Sequence, residues 1–260
     1  MDVEWFTDPM CSWSWGMQPQ LLELRAALQG RAEFRLRLVG MVNGPDLTDP
    51  LQPIHQPGQW APQWWEMSRA TGMPCDPAIW HHDPPTDSRL ACLAVAAARL
   101  QSDRAGWAML RRLREAVMLE RRNIARTEVI GAVADALGAE GRLDAAVWRE
   151  DLQGRAVRTA MRDDMAHAAY HGIRRFPSLL LRPSGSSRAM LIVGWRPWDV
   201  LVDALTELGL DIERTPSRLV DLADGMTDDE RRMLDLAREH LRGWSHATVG
   251  RTQLWRPPVV

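Results

Sequence analysis

The beginning of the chain carries a strand–helix–strand pattern, and this pattern limits how the 260 residues can fold more than any other feature. Residues 3–7 form a short β-type run that ends at Asp8-Pro9. A helical pattern then runs from Cys11 to about Gly30, and residues 33–39 alternate as a half-exposed strand does. Two strands joined through a helix are expected to pair in parallel with a right-handed crossover.

The rest of the chain predicts a helical block followed by a return to strands. Residues 43–88 are interrupted by prolines and rich in tryptophan, which indicates loops and short helices. Residues 89–168 have helical periodicity, with a last helix of this block from about Leu143 to Tyr170. Two apolar runs around a Pro-Ser-Gly turn predict a hairpin over 178–193, and Pro197 opens a final helix.

Joined across the helical block, these elements predict an α/β fold with one four-stranded mixed sheet and helices on it. We expect a sheet domain built from residues 1–42 and 172–209, with residues 43–171 as an inserted helical domain. Residues 210–260 form a C-terminal extension, in which a capping box at 227–230 predicts one helix. Residues 246–256 are typical of a small strand or wing.

Composition excludes several classes of protein. A net charge of −2 with a pI near 6.4 argues against a nucleic-acid binder. No run approaches the roughly 18 apolar residues of a membrane helix, and three cysteines cannot form a disulfide scaffold. All 32 basic residues are arginine, which rules out lysine chemistry. The acidic start Met1-Asp2-Val3-Glu4 is unlike a sorting signal, so we expect a cytoplasmic protein with reduced thiols.

The most informative residue is Cys11, which lies between the first strand and the first helix. A sulfur at that position is close to the unpaired N–H groups of the helix, which favour thiolate over thiol and predict a lowered pKa and a nucleophile. Two-cysteine redox enzymes carry a second cysteine three residues later, which resolves the mixed disulfide. Here that position is Ser14, whose hydroxyl can hydrogen-bond a thiolate but cannot resolve a disulfide.

The segment Asp8-Pro9-Met10-Cys11-Ser12-Trp13-Ser14-Trp15-Gly16 resembles the active site of the cytosolic, FrnE-type branch of the DsbA-like thiol-disulfide oxidoreductases. Residues 172–178 resemble the cis-proline loop of that family, and residues 195–198 resemble the segment before its last helix. The resemblance covers about residues 3–208 and implies a thioredoxin fold with an inserted α-domain. It also implies a cis bond between Phe176 and Pro177, which would present backbone groups to an extended substrate.

The kappa-class glutathione transferases and 2-hydroxychromene-2-carboxylate isomerases are related to this family and share the inserted thioredoxin fold. Their motif reads Ser-Pro-Tyr-Ser-Trp, and Ser14-Trp15 matches its end while Cys11 takes the place of its glutathione-activating serine. Four interpretations of Ser14 therefore stay open. They are a monothiol enzyme that uses glutathione, an isomerase or transferase for an aromatic substrate, a binding scaffold without activity, and an engineered replacement of a cysteine.

Our leading hypothesis is a monothiol oxidoreductase with Cys11 and Ser14 as catalytic residues. Its predicted substrate-binding residues are Trp13, Arg174, Arg175, Phe176 and Pro177, the two arginines as partners for a carboxylate such as that of glutathione. We expect glutathione as a co-substrate, a small thiol, peptide or aromatic substrate, and no tightly bound cofactor. We expect no metal, nucleic-acid or membrane partner, and a homodimer stays open.

The remaining cysteines, histidines and tryptophans have simpler interpretations. Cys75 and Cys92 are expected to be buried apolar residues rather than resolving thiols. His167 and His171 have the spacing of two ligands on one helix face, but the rest of a metal-binding set is missing from the sequence. The tryptophans at 60–80 are expected to pack the inserted domain rather than form an aromatic substrate site.

Overall fold

The computed structural model describes residues 1–41, 48–49, 52–53, 56–212, 245–249 and 252–256. The strands of this part of the chain are β1 (Asp2–Thr7), β2 (Glu33–Leu38), β3 (Thr48–Asp49), β4 (Gln52–Pro53), β5 (Ser178–Arg182), β6 (Met190–Val193), β7 (Ser245–Val249) and β8 (Thr252–Arg256). The helices are α1 (Ser12–Gly16), α2 (Gln18–Ala27), α3 (Ala61–Thr71), α4 (Ile79–His82), α5 (Arg89–Gln101), α6 (Asp103–Met118), α7 (Thr127–Ala139), α8 (Ala145–Gln153), α9 (Arg155–Tyr170) and α10 (Trp198–Glu207), with a 3₁₀ helix at Pro57–Trp60.

The main sheet has four strands in the order β2-β1-β5-β6, which confirms the predicted mixed sheet. β1 pairs in parallel with β2, and it pairs antiparallel with β5 through the register Phe6↔Ser178. β5 and β6 form the predicted hairpin. Because β1 and β5 run in opposite directions, the segment that follows β1 and the segment that precedes β5 lie at the same edge of the sheet.

The two faces of β1 are buried in different clusters. Val3 and Trp5 belong to the large core that also contains most of the buried apolar residues of the helices, and Trp5 stacks on Trp107 of α6 with ring centroids 5.5 Å apart. Phe6 points to the other face, in a smaller cluster with Ala168 of α9. Helices α3 to α9 all lie between β2 and β5 in sequence. Strand β1 therefore packs against this helical segment on both of its faces.

Two predicted helices are each divided in the structure. The helix expected over 143–170 breaks at Gly154, whose extended backbone (φ −70°, ψ 168°) separates α8 from α9. Glycine carries little intrinsic preference for the helix, so a break there is inexpensive. The helix expected from Cys11 to Gly30 is divided at Met17, where Pro19 falls in the first turn of α2, the position that tolerates its missing N–H.

The C-terminal extension is described at residues 210–212, where Ile212 is buried in the core, and at β7 and β8, which pair antiparallel where a small strand or wing was predicted. The helix predicted from the capping box at 227–230 lies outside the described residues. Within the described part of the chain, no helix combines the length and the apolar character that crossing a bilayer requires.

Gly16, the last residue of α1, packs closely against the side chains of α3. A Cβ added there would lie 2.7 Å from Thr71 Cγ2 and 2.8 Å from Met67 Sδ. Because both neighbours are packed side chains, we expect Gly16→Ala to lower the free energy of unfolding by about 1–3 kcal/mol. The measurement is urea unfolding followed by tryptophan fluorescence.

The matched control for this substitution is Gly131→Ala in α7. A Cβ at Gly131 meets no atom within 4 Å. Alanine is the better helix former, so this variant is expected to be more stable than the wild type by about 0.5–1 kcal/mol. Equal effects of the two substitutions would contradict the close approach of α1 and α3.

Candidate active site

Cys11 lies where the chain turns from β1 into α1. Its N–H donates to the carbonyl oxygen of Asp8 at 3.1 Å, and its own carbonyl accepts the N–H of Trp15 at 3.1 Å as the N-cap of the helix. The peptide bond between Phe176 and Pro177, directly before β5, is cis, as the family resemblance implies. The antiparallel pairing of β1 and β5 brings these two segments to one edge of the sheet.

The sulfur of Cys11 is in a buried environment, with the residue 3% exposed. Burial is the largest influence on its pKa, which is raised, and the negative charge of Asp8 acts in the same direction. The hydroxyl and the backbone N–H of Ser14 both interact with the sulfur and lower the pKa, as does the positive charge of Arg114.

The expectation of a lowered pKa at Cys11 is therefore wrong. That expectation considered only the start of the helix, but α1 has five residues and so offers a weak dipole, while desolvation penalises the anion strongly. Ser14 is fully buried, and within the described part of the chain its hydroxyl oxygen has no hydrogen-bond partner at standard geometry. Ser14 lowers the pKa of the Cys11 thiol, and its role as a catalytic partner of the sulfur stays a prediction.

Asp8 is a completely buried carboxyl group three residues before the cysteine. One of its oxygens accepts the N–H of Met10 at 2.7 Å. The other accepts the N–H of Met41 at 2.5 Å, the hydroxyl of Ser88 at 2.5 Å and the thiol of Cys92 at 3.6 Å. Burial raises the pKa of this carboxyl in spite of these donors. The sequence analysis placed Cys92 in the core, and it is buried there, beside a carboxyl group.

Arg114 reaches the same place from α6 and has no exposed surface. Its guanidinium donates to the hydroxyl of Thr7, to the carbonyl of Asp8 at 3.2 Å and to the side chain of Gln18 at 3.3 Å. Its central carbon also lies 4.8 Å from the ring centroid of Trp5. Burial lowers the pKa of Arg114 to about 10.

The predicted substrate residues occupy different environments. Trp13 is half-buried against the core, Phe176 is half-buried and Pro177 is buried, with the carbonyl of Pro177 accepting the N–H of Gly194 at 2.7 Å. Arg174 and Arg175 are exposed on the loop before β5. Their roles in binding a substrate stay predictions.

The other cysteines and the tryptophans belong to the packing of the helical segment. The thiol of Cys75 donates to the carbonyl of Trp64 at 3.3 Å, and burial raises its pKa to about 12. Trp80 stacks on Trp60 with centroids 5.9 Å apart and meets Trp64 edge-on at 5.4 Å. Trp15 ties this region to α1, because its indole N–H donates to the carbonyl of Pro74 at 2.7 Å.

The two histidines at helical spacing are committed to a structural network. His167 lies 3.0 Å from a carboxylate oxygen of Glu4 and stacks on Phe6, and His171 packs edge-on against His167. Across the described residues, no set of three or more His, Cys, Asp and Glu side chains is arranged to hold a metal ion.

Sequence reasoning missed Asp8 and Arg114 as members of the site. Arg114 follows Leu110 by one helical turn and Trp107 by two, so it lies on the apolar face of α6. A charged residue on an apolar helix face is a signal of a buried polar site that could have been recognised. Asp8 was taken as a strand breaker and as the first residue of the family-like segment, with no role assigned to its carboxyl group.

Comparison with known proteins places the chain in context. A family model described as "Thioredoxin" matches residues 5–203. A curated protein named ClpXP adapter protein SpxH, from Halalkalibacterium halodurans, is 26% identical over 219 residues, which cover 83% of this chain and 70% of that protein.

Two solved structures share the architecture. The cytosolic disulfide reductase DsbM from Pseudomonas aeruginosa, also solved with GSH, aligns with a TM-score of 0.62 and 24% identity over 80% of this chain and all of that one. A 2-hydroxychromene-2-carboxylate isomerase aligns with a TM-score of 0.54 and 15% identity over 80% of this chain and 95% of that one. At these identities the likeness concerns the fold.

Proposed function

This chain belongs to the thioredoxin family, and on that premise we propose that it is a monothiol, DsbA-like thiol-disulfide oxidoreductase that works with glutathione. The observation that carries the proposal is the placement of Cys11. It is the N-cap of the first helix, Ser14 lowers the pKa of its thiol, and it lies at the sheet edge that also holds the cis Phe176–Pro177 bond.

The reaction is a pair of thiol–disulfide exchanges. The thiolate of Cys11 attacks the glutathione sulfur of a mixed disulfide between glutathione and a second thiol, so that a bond forms between Cys11 and glutathione while the second thiol leaves as a thiolate; glutathione disulfide can stand in for this substrate in the first step. A free glutathione thiolate then attacks the sulfur of the bound glutathione and releases Cys11. The second exchange needs a thiol from solution because Ser14 carries none.

The groups around Cys11 can stabilise the two kinds of negative charge in this reaction, the thiolate and the carboxylates of the substrate. The hydroxyl and N–H of Ser14 stabilise the thiolate both when it attacks and when it is released. The backbone of Phe176 and Pro177 would lie along an extended thiol substrate, and the exposed guanidiniums of Arg174 and Arg175 would hold its carboxylates. The naming of DsbM as a cytosolic reductase, and its structure with GSH, support a glutathione-linked role in the cytoplasm.

We expect the folded protein to gain one glutathione at Cys11 when it is exposed to glutathione disulfide. Because burial raises the pKa of this thiol, the rate should rise with pH as the thiolate fraction grows. Intact-mass analysis with peptide mapping measures both. Cys11→Ser should abolish the adduct, and Cys75→Ser, which removes another buried thiol, should leave it in place.

A second candidate is a binding module that uses the fold without redox turnover. The low exposure of Cys11 and its raised pKa favour this alternative, as does the name of the curated relative, an adapter protein for ClpXP. An adduct that forms at Cys11 only after unfolding would support the binding module and overturn the oxidoreductase. The isomerase or transferase alternative stays a prediction, whose signature would be glutathione bound without a covalent bond and turnover of an aromatic substrate.

A further inference from the structure

Arg114 is a buried cation without a carboxylate partner. Among the residues that the structure describes, no carboxylate oxygen lies within 4.0 Å of its guanidinium, and its Nε atom has no hydrogen-bond acceptor. The acceptors it does have are neutral: the hydroxyl of Thr7, the carbonyl of Asp8 and the amide of Gln18. A charge buried in this way is costly unless an anion comes close to it.

The guanidinium and the reactive cysteine converge on one atom. The carbonyl oxygen of Asp8 accepts the Cys11 N–H at 3.1 Å and the Arg114 guanidinium at 3.2 Å. The positive charge is therefore within a few ångströms of the Cys11 backbone, in a region from which water is excluded. Electrostatic interactions are several times stronger in such a region than in water.

We propose that Arg114 is a positioning residue that holds the Cys11 sulfur in its anionic form during the reaction, and that Asp8 competes with Cys11 for this single positive charge. The inference rests on the proposed thiol chemistry at Cys11. It also assigns a role to the helical segment between β2 and β5, because α6 carries Arg114.

The groups that act on the ionisation of the Cys11 thiol come from different elements. Ser14 lies on α1, Asp8 on the loop after β1 and Arg114 on α6, while Cys92 of α5 lies beside Asp8 and acts on Arg114. Arg114 lowers the pKa of the Cys11 thiol, and Asp8 raises it. The Arg114 guanidinium can therefore stabilise either the Asp8 carboxylate or the Cys11 thiolate. When Asp8 is protonated, the guanidinium stabilises the thiolate alone.

The test is the pH profile of Cys11 alkylation by iodoacetamide in the full chain, followed by peptide mapping so that Cys75 and Cys92 do not contribute. Arg114→Met should move the midpoint up by about one pH unit, which is about a tenfold lower rate at neutral pH. Asp8→Asn should move it down by a similar amount. Arg114→Lys, which keeps the charge, should restore most of the wild-type profile.

Arg37→Met is the matched control, because Arg37 is also a partly buried arginine but pairs with Glu4 and Asp164, away from Cys11. Its midpoint should equal that of the wild type. The proposal would be overturned if the alkylation midpoint were unchanged in Asp8→Asn. It would also be overturned if the midpoint rose as far in Arg114→Lys as in Arg114→Met. If Arg114→Met does not fold, Asp8→Asn and Arg114→Lys still test whether Arg114 stabilises the thiolate. Failure of Cys11 to form the glutathione adduct would instead overturn the proposed function.

Discussion

Ser14→Cys is expected to replace the glutathione adduct of Cys11 by an internal disulfide. Cys11 is the N-cap of α1 and Ser14 lies three residues later in that helix, where it lowers the pKa of the Cys11 thiol. Side chains three residues apart on a helix are neighbours, a separation compatible with disulfide geometry. The introduced thiol attacks the Cys11 sulfur of the adduct, forms the disulfide and releases glutathione as a thiol.

The size of this effect follows from proximity. A thiol fixed beside the adduct has an effective concentration far above that of glutathione in solution, so the adduct should fall to below about a tenth of its wild-type level. Intact mass separates the outcomes, because the adduct adds one glutathione and the disulfide removes two hydrogens.

Ser12→Cys is the matched control for this experiment. Ser12 is a buried serine in the same helix, and it follows Cys11 directly. Adjacent residues on a helix do not face each other, so this variant should keep the glutathione adduct. If the adduct persisted in Ser14→Cys at the level seen in Ser12→Cys, the side chain at position 14 would not reach the Cys11 sulfur.

The fold was largely predictable because its signals are local. Alternating and apolar runs gave the main strands within one or two residues, and the order of strands and helices predicted the mixed sheet. The helix breaks at Met17 and Gly154 were missed because the apolar periodicity continues across them. Only the backbone conformation at Met17 and Gly154 shows that each continuous apolar pattern belongs to two helices.

The site was predictable only in the part that lies close together in sequence. Cys11 and Ser14 are three residues apart, and their pairing follows from the helix that both belong to. Arg114 is about a hundred residues away, and only tertiary packing brings it to the Asp8 carbonyl. The raised pKa of Cys11 depends on burial by side chains from several elements, which a motif does not specify.

A second buried charge network lies on the other face of the sheet, where it joins α9 to β2 and α5. Asp164 of α9 is 1% exposed. Its carboxylate accepts a hydrogen bond from Arg37 at 3.1 Å, from the N–H of Leu38 at 3.1 Å and from Arg99 at 2.7 Å. One carboxylate therefore accepts from two guanidiniums and a buried strand N–H, and its loss would leave all three without this acceptor.

Asp164→Ala is expected to lower the free energy of unfolding by about 3–5 kcal/mol, the range found when one partner of a buried ion pair is removed. Such a loss is a large part of the roughly 5–15 kcal/mol that stabilises a folded protein. Asp163→Ala is the matched control, since Asp163 is the exposed neighbour on the same helix, and its effect should stay within about 0.5 kcal/mol. Urea unfolding followed by tryptophan fluorescence measures both variants. Similar midpoints for the two would show that the Asp164 carboxylate does not hold α9 against the sheet, whereas a loss confined to Asp164→Ala would establish it as the link between the helical segment and β2.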